Sequence, residues 1–547
     1  MKRLICCIFL CSLSTILLSQ TYSRGDSLRG NLSSLRSAYD VFFYDLDVVV
    51  DCRENILDES SNEIYLLAKT NFQSLQIDLS SSLQIISIEF EDEQLQFYRE
   101  FNAVFISLSR EIIKGEKIIV KFNYYGKPQV AKNPPWDGGF SWQIDDNSNP
   151  LIGVSCQGLG ASSWWPCKDH QSDEPDSMRI TITSNLKWPI ISNGNLISDS
   201  IFTIDNVLSR KSSWFVSYPI NSYNVTLYIG DYIHFSDVLL RENDTLSLDY
   251  YVLSYNKEKA QNHFKQVKPM LECFEKYFGP YPFLNDGYAL IESSYLGMEH
   301  QSAIAYGNNY LPGYNGNTNY TADLDFDFII VHETGHEWWG NSITSNDIAD
   351  MWVHEGFCTY SEVLYVECMY GYQKMLEYVN NQKNRVINDK AVICDFHVNC
   401  KGSSDMYSKG SLMLNTLRNV INNDSLWFAG IKGLAIQKKH STLDGVEVIN
   451  YFNRFFNLDL SKIFEQYLSH KDIPEFEYKF QKKGRSYSLI YRWNAINDFD
   501  MPLIFNVGIN EKRIFPSSDW QELSLGSIDK KDFVIRDDLL FINIKKT

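Results

Sequence analysis

The sequence predicts a multidomain α+β protein. Three observations carry this. The chain has 547 residues, more than one average domain holds. Its two ends alternate apolar and polar residues with the period of strands, between turn signals. The stretch between them carries the apolar period of helices.

Residues 1–20 read as a signal peptide. Lys2 and Arg3 precede an apolar run from Leu4 to Leu18, and polar "SQTYSRG" follows. That run is short for a membrane span, although an uncleaved anchor is the alternative. The chain is therefore expected to be exported, as a periplasmic, secreted or cell-surface protein. No other run reaches spanning length, so no stable membrane insertion of the mature chain is expected.

Residues 21–235 are expected to form an antiparallel β-domain. Short alternating runs such as "YDLDVVVD", "EKIIVKFNYYG" and "MRITITSN" are separated by "NPP", "DGG" and "SNG". Residues 236–475 are expected to form a second, mainly helical domain. It opens on a strand, "TLSLDYYVLS". A helical segment follows and stops at Gly279-Pro280. Strand character returns in "DGYALIESSYLGMEHQSAIAYG". Helices then dominate from Asp323 to about Ser469. Residues 476–547 return to strands, "FEYKFQKKGRSYSLIYRWN" and "MPLIFNVGI" among them, as a small C-terminal β-domain.

The net charge of −18 argues against a nucleic-acid partner, which would need a basic face. Eight cysteines lie outside the signal segment and none form a CxxC pair, which argues against a cysteine zinc site. Cys394 and Cys400 could bridge in an oxidising compartment. Asn31, Asn224, Asn243, Asn319 and Asn423 open N-x-S/T sequons.

The chemistry concentrates in "HETGHEWWG", His332 to Gly340. Residues four apart share a helix face, so His332 and His336 can hold one metal ion with Glu333 beside them. By residue frequency such a motif arises by chance on the order of 0.01 times per chain of this length. A catalytic zinc keeps three protein ligands and one open position. Glu355, in "DMWVHEGFCTYSE" with eighteen residues intervening, is the third candidate. His354 is its rival, one position out of phase.

"HETGHEWWGN", the eighteen-residue spacer and "EGFCTYSE" resemble the zinc aminopeptidases of the gluzincin clan, the family that includes aminopeptidase N. The resemblance is strong over 286–372. It is weaker over "SCQGLGASSWWPCKDHQSDEPDS". It implies a thermolysin-like catalytic domain with a small β-sheet, one Zn²⁺ per chain, and peptide substrates with a free N-terminus. The ligands would be His332, His336 and Glu355, with Glu333 as the base.

"LGMEH" is similar to the family's G-x-M-E-N segment. There Glu299 would pair with the substrate ammonium, in a segment that also contributes Gly297 and Met298. His300 departs from the usual Asn. Gln157, in "SCQG", would reach the same amine. Tyr407, in "DMYSKGSLML", resembles the family's P-Y-x-K-G segment and would donate to the developing oxyanion. Met406 replaces the proline. Thr359, one turn after Glu355, could support the ligands from behind.

Two other readings compete: an endopeptidase with the same zinc chemistry, and a non-catalytic exported peptide-binding module. An amine anchor has no use in a strict endopeptidase. Decay to a binding module would remove residues such as Tyr407 early. An epoxide hydrolase side activity finds no support in a C-terminus that reads as strands.

Overall fold

The computed structural model describes residues 22–204 and 206–547. The expected signal segment, 1–20, lies outside them.

The N-terminal region is built on an eight-stranded sheet. At its centre the strand Tyr39–Asp51 pairs antiparallel with Ile56–Ala68 and parallel with Ser177–Ser184. The other pairings in that sheet are antiparallel. Alternation decides which face is buried. Leu46, Val48 and Val50 point inward, as do Ile64, Val120, Phe122, Ile180 and Ile182. A three-stranded sheet and a four-stranded sheet complete this region. The strand Pro150–Ser155 of the four-stranded sheet leads directly to Gln157.

The second region begins with a five-stranded sheet whose first strand is Tyr232–Leu240. The sequence boundary at 235 therefore falls inside a strand. Its edge is the short strand Gly297–Met298, antiparallel to Ile304–Tyr306. The period-2 alternation gives this sheet two apolar faces. Leu290, Ile304 and Tyr306 join the core beneath the helices. Ala289, Ile291, Met298 and Ala305 join the core of the N-terminal region. Both regions thus clamp one sheet between them. That is how a side chain from residue 157 reaches the helices.

The helices Val267–Phe278, Phe328–Gly335, Trp352–Tyr370 and Ser408–Ile421 cover the other side. A disulfide joins Cys273 to Cys368 across two of them, and a second joins Cys394 to Cys400. The first pairing, 95 residues apart in sequence, was not expected from spacing.

The C-terminal residues form a four-stranded and a three-stranded sheet, starting at Glu475. They do not close a core of their own. Trp493, Phe505 and Phe541 belong to the same apolar cluster as the helices. Phe541 also docks through its backbone, donating to Thr416 and accepting from Tyr467. No described helix is long and apolar enough to cross a membrane. Of the sequons, Asn224 is fully buried and donates to Asn341, so the folded chain does not present it for glycosylation.

Candidate metal centre

The helix Phe328–Gly335 starts at Asp327. That side chain accepts from the backbone N–H groups of Ile329 and Ile330, satisfying donors a helix start leaves free. Asp327 is fully buried. It is held in turn by Asn308 and Tyr306, with His263 at 2.7 Å from its other oxygen. The position of the helix is thereby fixed. His332 lies one turn before its end, and His336 is the residue that caps it. The chain then turns through "EWWG" and returns as Trp352–Tyr370, which carries Glu355 in its first turn.

Three atoms converge. The Nε2 atoms of His332 and His336 are 3.3 Å apart. Glu355 Oε2 lies 3.7 Å from the first and 3.4 Å from the second. Ligands about 2.0–2.1 Å from a tetrahedral zinc stand about 3.3 Å from one another. Glu355 Oε2 is also buried with no hydrogen-bond partner. An orphaned carboxylate oxygen is costly in a protein interior unless something else, such as a cation, satisfies it. The donor set therefore fits a zinc ion.

Partners behind the histidines fix their tautomers. His332 Nδ1 is 2.7 Å from Glu362 Oε1, and His336 Nδ1 is 2.9 Å from the Trp339 carbonyl. Each Nδ1–H is spent on an acceptor, which leaves each Nε2 lone pair facing the centre. Tyr378 donates to the other oxygen of Glu362. Glu362 escaped the sequence reading. It stands seven residues after Glu355, two turns along the same face, a spacing that could have revealed it. Thr359, expected in a supporting role, is buried with its hydroxyl unpartnered. His354 turns away from the ligands. Its Nε2 accepts from the Ser345 backbone N–H at 2.8 Å, and burial pushes its pKa down to about 3. Cys358 approaches both histidines, but its thiol donates to the His332 carbonyl.

Glu333 lies against the edge strand. A Cβ added to Gly297 would meet its Oε1 at 2.5 Å, so the glycine leaves open the space this carboxylate occupies. Burial pushes the Glu333 carboxyl up to about 7, against the pull of the two histidines. Met298 and Glu299 follow on the same edge. Glu299 Oε1 accepts from Gln157 Nε2 at 2.6 Å and from the Tyr223 hydroxyl at 3.2 Å. Tyr223 had no sequence signal. Gln157 Nε2 also donates to Glu355 Oε1 at 3.0 Å, which ties the amine side of the site to the ligand side.

Tyr407 stands at the head of the helix Ser408–Ile421. This helix packs on the Glu355 helix at glycines. A Cβ on Gly410 would lie 2.9 Å from the Gly356 Cα. That closeness brings the Tyr407 hydroxyl to 2.9 Å from Glu355 Oε1. Burial and the neighbouring Glu355 hold the phenol well above its ordinary pKa, so it remains a donor. His300 takes no part in the cavity wall. Its Nδ1 is 2.6 Å from the Tyr228 hydroxyl, and burial pushes its pKa down to about 3. All these groups except His300 surround a cavity of about 620 Å³ between the two regions, or brace its walls.

Residues 262–467 match the Peptidase family M1 domain. Over 386 residues the chain is 22% identical to aminopeptidase N of Lactobacillus helveticus, covering 66% of this chain and 44% of that protein. Over 235 residues it is 26% identical to probable M1 family aminopeptidase 1 of Encephalitozoon cuniculi, covering 39% of this chain and 26% of the relative. The chain thus spans less than half the length of these relatives. Among solved structures, the M1 zinc metallopeptidase of Deinococcus radiodurans superposes with a TM-score of 0.66 at 18% identity. That match covers 80% of this chain and 94% of the other. Such a likeness establishes the fold, in which the matched segment carries a β-rich region before it and β-sheets after it.

Proposed function

We propose that this chain is a zinc-dependent aminopeptidase, releasing one N-terminal residue at a time from peptides. The single observation that supports it best is the pairing of two sites in one cavity: three convergent ligand atoms, with a buried carboxylate, Glu299, beside them. A buried carboxylate selects for a cation, and here that cation would be the free ammonium of a peptide. Its closeness to the ligands leaves room for one residue ahead of the scissile bond.

His332, His336 and Glu355 would hold the zinc. When bound, the ion supplies Lewis acidity to a water and to the scissile carbonyl. Glu333 would take the proton of the attacking water and deliver it to the leaving amine. The Tyr407 hydroxyl donates to the oxygen that gains charge. Glu299, oriented by Gln157 and Tyr223, holds the ammonium, and Gly297 and Met298 form the edge along which the substrate lies.

Export through a signal peptide is part of the same proposal. Two disulfides in the described residues support it, because such bonds persist in oxidising compartments.

Aminoacyl-amide dyes with and without a chelator test the activity. Chelator-sensitive release from free but not N-acetylated substrates is expected, and Glu333→Gln is expected to abolish it while zinc stays bound. Equal cleavage of acetylated peptides would overturn the exopeptidase reading. Full activity of Glu333→Gln would overturn the role of the base.

A further inference from the structure

Beyond the ligands and the amine anchor, the cavity wall holds one cation that the reaction does not use. Lys401 lines the cavity beside Gly402, Ser404 and Tyr407. The acidic groups around the same space are Glu299, Glu333 and Glu355. None of them pairs with the lysine. Among the described residues no carboxylate lies within 4.0 Å of its ammonium. Lys401 is solvent-exposed where it lines the cavity, and a cation there with no partner among the described residues is available to a ligand.

The lysine sits on a pinned wall. Cys400, just before it, is buried and disulfide-bonded to Cys394. Gly402, just after it, packs so closely on the Val392 carbonyl that no Cβ fits. Ser403 is fully buried, its N–H donating to the Ala391 carbonyl and its hydroxyl to Asp389. The backbone on both sides of Lys401 is thus fixed, and only its four-carbon stem has to order on binding.

Its location says which part of a substrate it meets. It lines the same cavity as Gln157, Glu299 and Glu355, on the 401–407 segment whose Tyr407 hydroxyl donates to Glu355 Oε1. That oxygen also accepts from Gln157, which donates to Glu299 as well. This is the flank on which the residue bearing the free amine would rest. Tyr314, Tyr320 and Phe328 form an aromatic cluster elsewhere in the cavity lining.

We infer that Lys401 is a specificity-determining residue that pairs with the side-chain carboxylate of an acidic N-terminal residue, aspartate or glutamate, in the substrate. The inference rests on the aminopeptidase reading. Lys401 is the one lysine or arginine among the described residues lining the cavity, so without it an acidic side chain would meet no such cation there. With it, glutamate gains a charge-assisted contact that isosteric glutamine lacks.

The test compares kcat/KM of glutamyl and glutaminyl coumarin amides on the zinc-loaded full chain. The native enzyme is expected to favour the glutamyl substrate. Lys401→Ala should lower the glutamyl-to-glutaminyl ratio about tenfold, the size expected of a partly exposed charged contact. Lys401→Arg should keep the ratio, and Lys401→Glu should lower it further. A ratio unmoved by Lys401→Ala overturns the inference. So does a loss confined to dipeptides with a free C-terminal carboxylate over their amides, which would assign the lysine to the chain end. Calorimetric binding of free glutamate against free glutamine gives a second readout. If no amide is hydrolysed, the aminopeptidase reading fails. The inference then still stands or falls on whether Lys401→Ala abolishes a preference for glutamate.

Discussion

Gly297→Ala isolates the positioning of the base. The substitution adds one methyl group to the edge strand and touches no ligand. At the unrelaxed position that carbon would lie 2.5 Å from Glu333 Oε1 and 2.8 Å from Ile329 Cγ2. An ordinary contact begins near 3.4 Å. The carboxylate must therefore withdraw by about 0.9 Å, or the strand must shift by a similar amount. Either movement changes the reach of Glu333 to the water it would deprotonate. A displacement near 1 Å at a reacting group costs roughly 10²-fold in rate, or about 2.7 kcal/mol of barrier. The overpacking itself should destabilise the fold by about 1–3 kcal/mol. The assay is kcat on an aminoacyl-amide dye, with zinc content by atomic absorption and the thermal midpoint measured alongside. We expect kcat down about a hundredfold, stoichiometric zinc, and a midpoint lowered by a few degrees. A kcat within twofold of the native value, in a folded and zinc-loaded variant, would refute the argument that this glycine exists to seat the base.

Other perturbations separate the supporting parts. Glu362→Gln leaves His332 Nδ1 with a weaker acceptor, so zinc affinity should fall about 10- to 100-fold in a chelator competition; unchanged affinity would remove Glu362 from the site. Tyr407→Phe should lower kcat by roughly 10²–10³ with little change in KM, and a loss carried mainly by KM would point to binding instead. Acid should destabilise the chain through its buried neutral histidines. His170 and His300 both have pKa values pushed down to about 3 by burial, against an ordinary 6.5. Their contribution is fully present above about pH 6.5 and is lost as pH falls towards 3, by about 2 kcal/mol each at pH 5. His300→Gln should therefore lose less stability between pH 7.5 and pH 5 than the native chain, and an equal loss in both would contradict this assignment.

The residues that sequence spacing could relate are those joined by one helix or one short turn. His332 and His336 share a face because a helix repeats every 3.6 residues, and that relation holds whatever packs around it. The N- and C-terminal strands were legible for a similar reason, since alternation with period two marks a half-buried strand locally. Glu355 could be named from its distance along the chain. Its 3.4–3.7 Å approach to the histidines depends on the turn between the helices and on the glycine contact behind them.

Packing alone decided the rest. Gln157 meets Glu299 because one sheet offers its two faces to two different cores, and no local pattern encodes which loop of one region will overhang the edge of the other. Tyr223 had no motif and stands among 33 tyrosines, so only its 3.2 Å contact distinguishes it. Cys273 and Cys368 are neighbours because two helices lie side by side, a fact of tertiary burial rather than of sequence separation. Lys401 reads in sequence as an ordinary surface lysine after a cysteine. Only the fold turns it into a cavity wall, beside carboxylates that already have other work. Periodicity and spacing are local and survive in one dimension. The company each side chain keeps is set by apolar burial summed over the whole chain, and only the folded structure performs that sum.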